Sequence, residues 1–524
     1  MNKMDFIIKK TFALAIQKHK ENNLKMAESL YQKILKIKPN HAPSHNNLGI
    51  IFETLGNIQN AKICYEKAIL INPDYAHAYN NLGMIFKELD QHNNAIEAFK
   101  TAIKIEPDYL AAHHNLGLVF QKKKNHEEAL QCFKKAIKIK SDSSESYYSL
   151  GMVFVEKGEL ERGAEAYSMA TKYDPENLSY FFYLGELKNE ILNLNLKKKI
   201  ISILKKKNCT KKNLAYGNFL LAKYEAKNRN YKKEFNFLIE GHHQYSKFKI
   251  NKFKQQIKYW LKILPNNKKL NNLIKFRVIR KKTINDIKPI FIVGVPRSGS
   301  TLLEKVIASS VEKIPAGEET EVINYFVKEE ILKRKYEKFD FEKLKQKIIK
   351  KYEEKGLIKK EKNYMFTDKS LDNFFYINLI KEIFPNSKII NCRRNPLSCI
   401  ISILKNNITG LGWAHELENI FEYINIYYNK IHQFKEKNPQ LIYELEYEKF
   451  VINPELESKK LLDYCNLSWD VKCLNFFKRK DLISQTASNI QIRKGIYQDS
   501  VKKYLNYKQF LNKFNKKYKW FNPL

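Results

Sequence analysis

The sequence predicts a two-part chain, an all-α solenoid of helical hairpins followed by an α/β domain with a parallel sheet and a P-loop-like turn. Three observations carry this. The dipeptide Leu-Gly recurs at Leu48-Gly49, Leu82-Gly83, Leu116-Gly117, Leu150-Gly151 and Leu184-Gly185, a fixed period of 34 residues. From about residue 287 the pattern changes to short apolar strands alternating with amphipathic helices, which predicts a parallel sheet with ligands at the C-terminal ends of its strands. The first such strand, Ile290-Phe-Ile-Val, runs into Gly294-Val-Pro-Arg-Ser-Gly-Ser-Thr301, spaced like a nucleotide phosphate loop. At 524 residues the chain also exceeds what one core ordinarily organises.

Within residues 6–175 other positions keep the 34-residue register. Ala27, Ala61, Ala95 and Ala129 share one, Ala68, Ala102, Ala136 and Ala170 a second, and Pro39, Pro73, Pro107 and Pro175 a third, with Ser141 in place of the missing proline. Small residues let paired helices approach closely, and proline ends the second helix of each pair. The pattern resembles tetratricopeptide repeats, with about five copies. Ala15 stands at the first glycine position and Gly163 at an alanine position, both still small. Such a stack offers a concave docking surface, so the repeats are expected to bind a protein or peptide. Tyr79, Asn80, Asn81, His113, His114 and Asn115 recur near the starts of first helices. Residues 176–285 keep helical periodicity without the repeat and are expected to form a helical cap and connector; residues 287–524 form the second domain.

The net charge of +38 comes mostly from lysine scattered along the whole chain, with no compact basic stripe, so no nucleic-acid partner is expected. The seven cysteines are odd in number and show no metal-ligand spacing, which predicts reduced thiols and no metal. The opening residues Met1–Lys10 carry no long apolar stretch, and no run approaches the roughly 18 apolar residues of a membrane span. A cytoplasmic protein without a membrane span is the expectation.

In the loop, Ser300 stands where a Walker sequence needs lysine. Arg297 and backbone N–H groups would therefore hold a terminal anionic group without that lysine. In Lys388-Ile-Ile-Asn-Cys-Arg-Arg-Asn-Pro-Leu-Ser-Cys-Ile-Ile-Ser402, a strand, a turn at Pro396 and a helix follow one another. Arg394 and Ser402, eight residues apart, can converge on one anion from the strand end and from two turns into the helix. Further along stand Gly317-Glu318-Glu319-Thr320, Thr367-Asp-Lys369-Ser-Leu-Asp-Asn-Phe374, Tyr447 ahead of Pro454, and Arg493-Lys494-Gly495 between Ser488 and Lys503-Tyr504.

Together these segments resemble sulfotransferases that use 3′-phosphoadenosine 5′-phosphosulfate, and the Gly-Glu-Glu-Thr run resembles the tyrosylprotein sulfotransferases in particular. The resemblance covers about 287–506. It implies that Pro296, Arg297, Ser298, Gly299, Ser300 and Thr301 cradle the donor's 5′-phosphosulfate. It implies that Arg394, Ser402, Arg493, Lys494 and Gly495 hold the 3′-phosphate, with Tyr447 and Lys503 also on the donor side. Lys369 would stabilise charge on the leaving group, assisted by Ser488. By the Gly-Glu-Glu-Thr motif the base is Glu319; by spacing from Pro296, Glu318 falls where repeat-bearing bacterial relatives place their glutamate. Ser370-Leu371 departs from the family's Met-Pro. The lumenal tyrosylprotein enzymes are membrane-anchored, a departure from the expectation of a protein without a membrane span.

The implied activity is sulfuryl transfer to an acceptor hydroxyl, with protein tyrosine first. A glycan, lipid or small metabolite is the alternative acceptor, and a non-catalytic nucleotide-binding scaffold the alternative class. A phosphotransferase would need a metal-binding carboxylate, for which Asp368 is the candidate.

Overall fold

The computed structural model describes residues 3–267, 287–332, 340–359, 364–479, 481–482, 489–493, 495–498 and 501–521. The chain divides into two compact units: Met1–Val155 with Glu159–Pro175, and Glu156–Gly158 with Glu176–Leu524. Among the described residues no helix is long and apolar enough to cross a membrane.

The N-terminal unit is built from five helix pairs: Lys3–Lys20 with Leu24–Ile37, Ala42–Thr54 with Ile58–Ile71, Ala76–Glu88 with His92–Ile105, Leu110–Lys122 with His126–Ile139, and Ser144–Lys157 with Leu160–Tyr173. The periodic glycines explain how closely each pair packs. A Cβ on Gly83 would lie 2.7 Å from the Phe99 ring, and Gly49, Gly117 and Gly151 meet Tyr65, Phe133 and Tyr167 in the same way. Each aromatic ring, buried in the second helix, fills the space that a side chain on the first would occupy. Turn chemistry repeats as well: the Asn23 and Asn57 side chains accept from Met26 and Asn60 N–H to start second helices. The polar residues near the starts of first helices join repeat to repeat. Asn81 donates to Asn46 at 2.9 Å, Asn115 to Asn80 at 3.0 Å, and His114 meets the Ser149 hydroxyl at 3.0 Å.

The second unit holds a four-stranded parallel sheet in the order β2-β1-β3-β4, with β1 Ile290–Val293, β2 Thr367–Asp368, β3 Lys388–Arg393 and β4 Tyr443–Glu446. Ile292 lies opposite Ile390, and Cys392 opposite Leu445. All four residues of β1 are buried, as a central parallel strand requires. Ile290 and Ile292 face Leu303, Val306 and Ile307 of the following helix, while Val293 joins the core on the other face. A bridge from Ala316 to Thr367 extends the β2 edge.

Helices Leu178–Leu187, Leu194–Leu204, Lys211–Lys227, Tyr231–Phe248 and Ile250–Lys258, expected as a connector, share one core with the sheet domain. Phe219, Leu220 and Phe253 pack in the same cluster as Trp413, Phe421 and Tyr427. His242 donates Nε2–H to the Leu404 carbonyl at 2.8 Å, and its Nδ1 lies 2.9 Å from that of His415. Residues 268–286 lie outside the described residues.

Candidate active site

β1 ends at Val293, and the chain turns through Gly294–Gly299 into the helix Ser300–Ala308. The turn is left-handed at Arg297 (φ 72°) and at Gly299 (φ 107°). For a residue with a Cβ, that conformation costs on the order of 1–3 kcal/mol and persists only where neighbours hold it. Among the described residues, Ser402, Gln491 and Arg394 help to hold Arg297. Its Nε donates to the Ser402 hydroxyl at 2.9 Å, its terminal nitrogen to Gln491, and its carbonyl accepts from Arg394 at 2.8 Å. Gly299 has no room for a side chain, because a Cβ there would sit 2.4 Å from the Tyr447 ring. Helix N-terminal N–H groups and two guanidinium groups thus meet around one glycine.

A cavity of about 340 Å³ opens here, and Arg297, Gly299, Thr301, Arg394, Ser402, Tyr447, Gly495 and Lys503 line it. The Arg394 guanidinium lies over the Tyr447 ring, 4.5 Å from its centroid. Burial, with the Arg394 charge adding to it, brings Arg297 down to about 10, still cationic at neutral pH. These two half-buried like charges repel, and an anion between them relieves that repulsion.

Pro296, Ser298 and Ser300 shape the loop but do not line the cavity. Ser298 Oγ is buried and has no hydrogen-bond partner among the described residues. Arg493 is half-buried and stands off the cavity, where Gly495, left-handed at φ 78°, lines the wall instead. Ser402 meets Arg297 rather than Arg394, although both arginines share its cavity. Lys494 and Ser488 lie outside the described residues. Lys405, one turn after Ser402 at the end of the same helix, and Asn406, which caps that helix, also line the cavity, and helical spacing from Ser402 marks both. Gln491, and Glu186 and Lys223 from the upstream helices, line it too, and no sequence motif marks them.

The acidic segment and the lysine come together across the β2 edge. Gly317 N–H donates to the Thr367 carbonyl at 3.1 Å, and Lys369 N–H donates to the Glu318 carbonyl at 2.9 Å. A Cβ on Gly317 would fall 2.2 Å from the Thr367 carbonyl oxygen, so only glycine fits. Glu318 is left-handed at φ 58° and buried. Its N–H donates to Glu304 at 2.8 Å, and its carboxylate pairs with buried Lys305 at 3.1 Å. Glu319 points the other way: its side chain is 42% exposed and pairs with Lys369 at 3.3 Å. Lys369 is buried to 1%. Burial opposes its charge, but Glu319, Glu304 and Glu318 outweigh that and raise its pKa.

Asp368 underpins this arrangement. One oxygen accepts from Thr320 and from Tyr352 at 2.7 Å; the other accepts from Ser370 N–H at 2.9 Å, Ser370 Oγ at 2.7 Å and Asn373 at 3.0 Å. Five donors fill the roughly four lone-pair positions of a carboxylate, leaving none for a cation. Ser370, at the departure from Met-Pro, also accepts from Glu321 N–H at 2.9 Å.

Residues 289–471 match the sulfotransferase family, and 42–75, 74–142 and 144–177 match tetratricopeptide repeats. The chain joins a tetratricopeptide-repeat array to a sulfotransferase-family domain. An uncharacterized protein of Aquifex aeolicus (strain VF5) is 32% identical over 239 residues, 43% of this chain and 31% of the relative. Protein-tyrosine sulfotransferase A of Caenorhabditis elegans is 26% identical over 203 residues, 36% of this chain and 52% of the relative. The alignments thus span about a third and about half of these relatives' own lengths. The solved structure of MamA is 26% identical, covers 32% of this chain and 97% of its own, and has a TM-score of 0.29.

Proposed function

We propose that this protein transfers a sulfuryl group from 3′-phosphoadenosine 5′-phosphosulfate to an acceptor hydroxyl, with protein tyrosine as the acceptor. The observation that carries the reading is the convergence of Arg297, Arg394, Ser402 and the helix N-terminus on one cavity, with Ser300 in place of the lysine a triphosphate would use. The close approach of Gly299 to Tyr447 at the cavity wall suits an oxyanion held by backbone N–H groups.

The donor supplies the sulfuryl group, and the residues of this chain do the rest. Arg297 and Arg394 hold phosphoryl oxygens, which neutralises charge already present in the ground state. Lys369, kept cationic by its carboxylate neighbours, supports the negative charge that grows on the leaving phosphate. Glu319 takes the proton of the acceptor hydroxyl, because it is the accessible carboxylate of the acidic pair; Glu318 is committed to Lys305. The likeness to a protein-tyrosine sulfotransferase supports tyrosine, and the repeat array supports a protein acceptor. A phosphotransferase finds no support, since Asp368 has no lone pair left for a metal.

Calorimetry with adenosine 3′,5′-bisphosphate tests the donor cavity. Arg297→Ala and Arg394→Ala are each expected to weaken binding by about tenfold or more, the scale of a lost charge-assisted hydrogen bond. Unchanged affinity in both variants would sink the assignment.

A further inference from the structure

The helices ahead of the sulfotransferase-family match do more than connect. Glu186 on Leu178–Leu187 and Lys223 on Lys211–Lys227 line the same cavity as Arg297, Arg394 and Ser402, although the family match begins only at residue 289. We propose that Lys223 is a further phosphate ligand of the donor, and that Glu186 is its built-in counter-ion, with which an incoming phosphate must compete. This rests on the donor-cavity reading above.

Three observations support it. First, the charge is lopsided: among the described lining residues, Lys223, Arg297, Arg394, Lys405 and Lys503 are cationic, and Glu186 is the one carboxylate. Low-dielectric walls of one sign concentrate anions, and a bisphosphate carries roughly −1.5 to −2 per phosphate group. Second, Lys223 is held in place. It pairs with Glu186 and lies 4.9 Å from the centre of the Phe182 ring, one turn before Glu186 on the same helix. Its side chain is 23% exposed and that of Glu186 31%, so the pair is partly withdrawn from water. A cation already fixed and partly desolvated loses little freedom on meeting a phosphate. Third, the neighbouring cation is committed elsewhere: Lys405 pairs with buried Glu234 at 2.8 Å and meets the Tyr507 hydroxyl at 2.8 Å. The field of Glu186 also reaches Arg297, where it offsets part of the cost of burial.

The ligand class follows from this chemistry. A phosphate can supply Lys223 with more oxygen acceptors and more charge than the carboxylate it displaces; a neutral or singly charged ligand cannot. The two residues therefore act with opposite sign. Lys223→Met removes a ligand, whereas Glu186→Gln removes the competitor and leaves Lys223 to the phosphate.

The test is calorimetric titration of adenosine 3′,5′-bisphosphate into the full chain, with thermal unfolding of each variant in parallel. Lys223→Met is expected to weaken binding by about tenfold, Lys223→Arg to keep most of the affinity, and Glu186→Gln to tighten binding on the order of threefold. Should Lys223→Met lower the melting temperature, the sign of the Glu186→Gln effect decides by itself. Weaker binding in Glu186→Gln, or unchanged binding in Lys223→Met, overturns the proposal while leaving the donor cavity standing. A wild-type protein that binds no bisphosphate overturns the donor reading, and this proposal with it.

Discussion

Glu318 and Glu319 are neighbours in the chain but stand in opposite environments. The left-handed turn at Glu318 buries its carboxylate against Lys305, while Glu319 reaches outward to Lys369. The two conservative substitutions should therefore have separate effects. Glu319→Gln should lower kcat by about 10²-fold to 10⁴-fold, as removal of a general base does, and leave bisphosphate affinity unchanged in calorimetry. Glu318→Gln breaks a buried ion pair and should lower stability by about 3 kcal/mol in denaturant unfolding, with turnover lost only as folding is lost. The acidic pair itself is legible as Gly-Glu-Glu-Thr. Which member faces outward is not, because Glu304 and Lys305, one turn into the loop helix, decide it, and no local pattern marks them. In the same way Arg297, Arg394 and Ser402 can be read from motif and spacing, whereas Glu186 and Lys223 reach the cavity only through helix packing.

At the scale of elements, the 34-residue period reports a packing contact that sequence shows only in part. The glycines are plain, but the rings they accommodate, Tyr65, Phe99, Phe133 and Tyr167, share that same period and pass unnoticed because the position is filled by tyrosine in some repeats and phenylalanine in others. Past Leu184-Gly185 the helices through Lys258 keep helical periodicity but no repeat, and periodicity alone does not say which core a helix joins, so their shared core with the sheet is not legible in the sequence. One joint of that core makes a measurable prediction. Burial pushes His242 down to about 4 and His415 well below its ordinary value, the neighbouring His242 adding to the second. Both rings are therefore neutral when folded, while the unfolded chain takes up their protons near the ordinary 6.5. Stability should be intact above about pH 6.5 and fall as pH drops toward 4, by on the order of 3 kcal/mol for His242 alone. Denaturant unfolding across that range, compared with His242→Gln, checks it; the variant's curve should be flatter.

For the whole molecule, the proposed function divides the tasks between the two units: the repeats would select the acceptor, and the sheet domain with its upstream helices would perform the chemistry. A fragment spanning 176–524 should fold and bind bisphosphate like the full chain, whereas 287–524, stripped of Phe219, Leu220 and Phe253 from its core, should not fold. Circular dichroism and calorimetry on the two fragments distinguish these outcomes. The most direct test of the central claim is transfer of radiolabelled sulfate from 3′-phosphoadenosine 5′-phosphosulfate to a tyrosine-containing protein acceptor, run beside Lys369→Ala. The account predicts acid-labile label on tyrosine with the wild-type chain, and a loss on the order of 10²-fold or more in the variant. No transfer to any hydroxyl from a folded, bisphosphate-binding protein, or full transfer by Lys369→Ala, would contradict it.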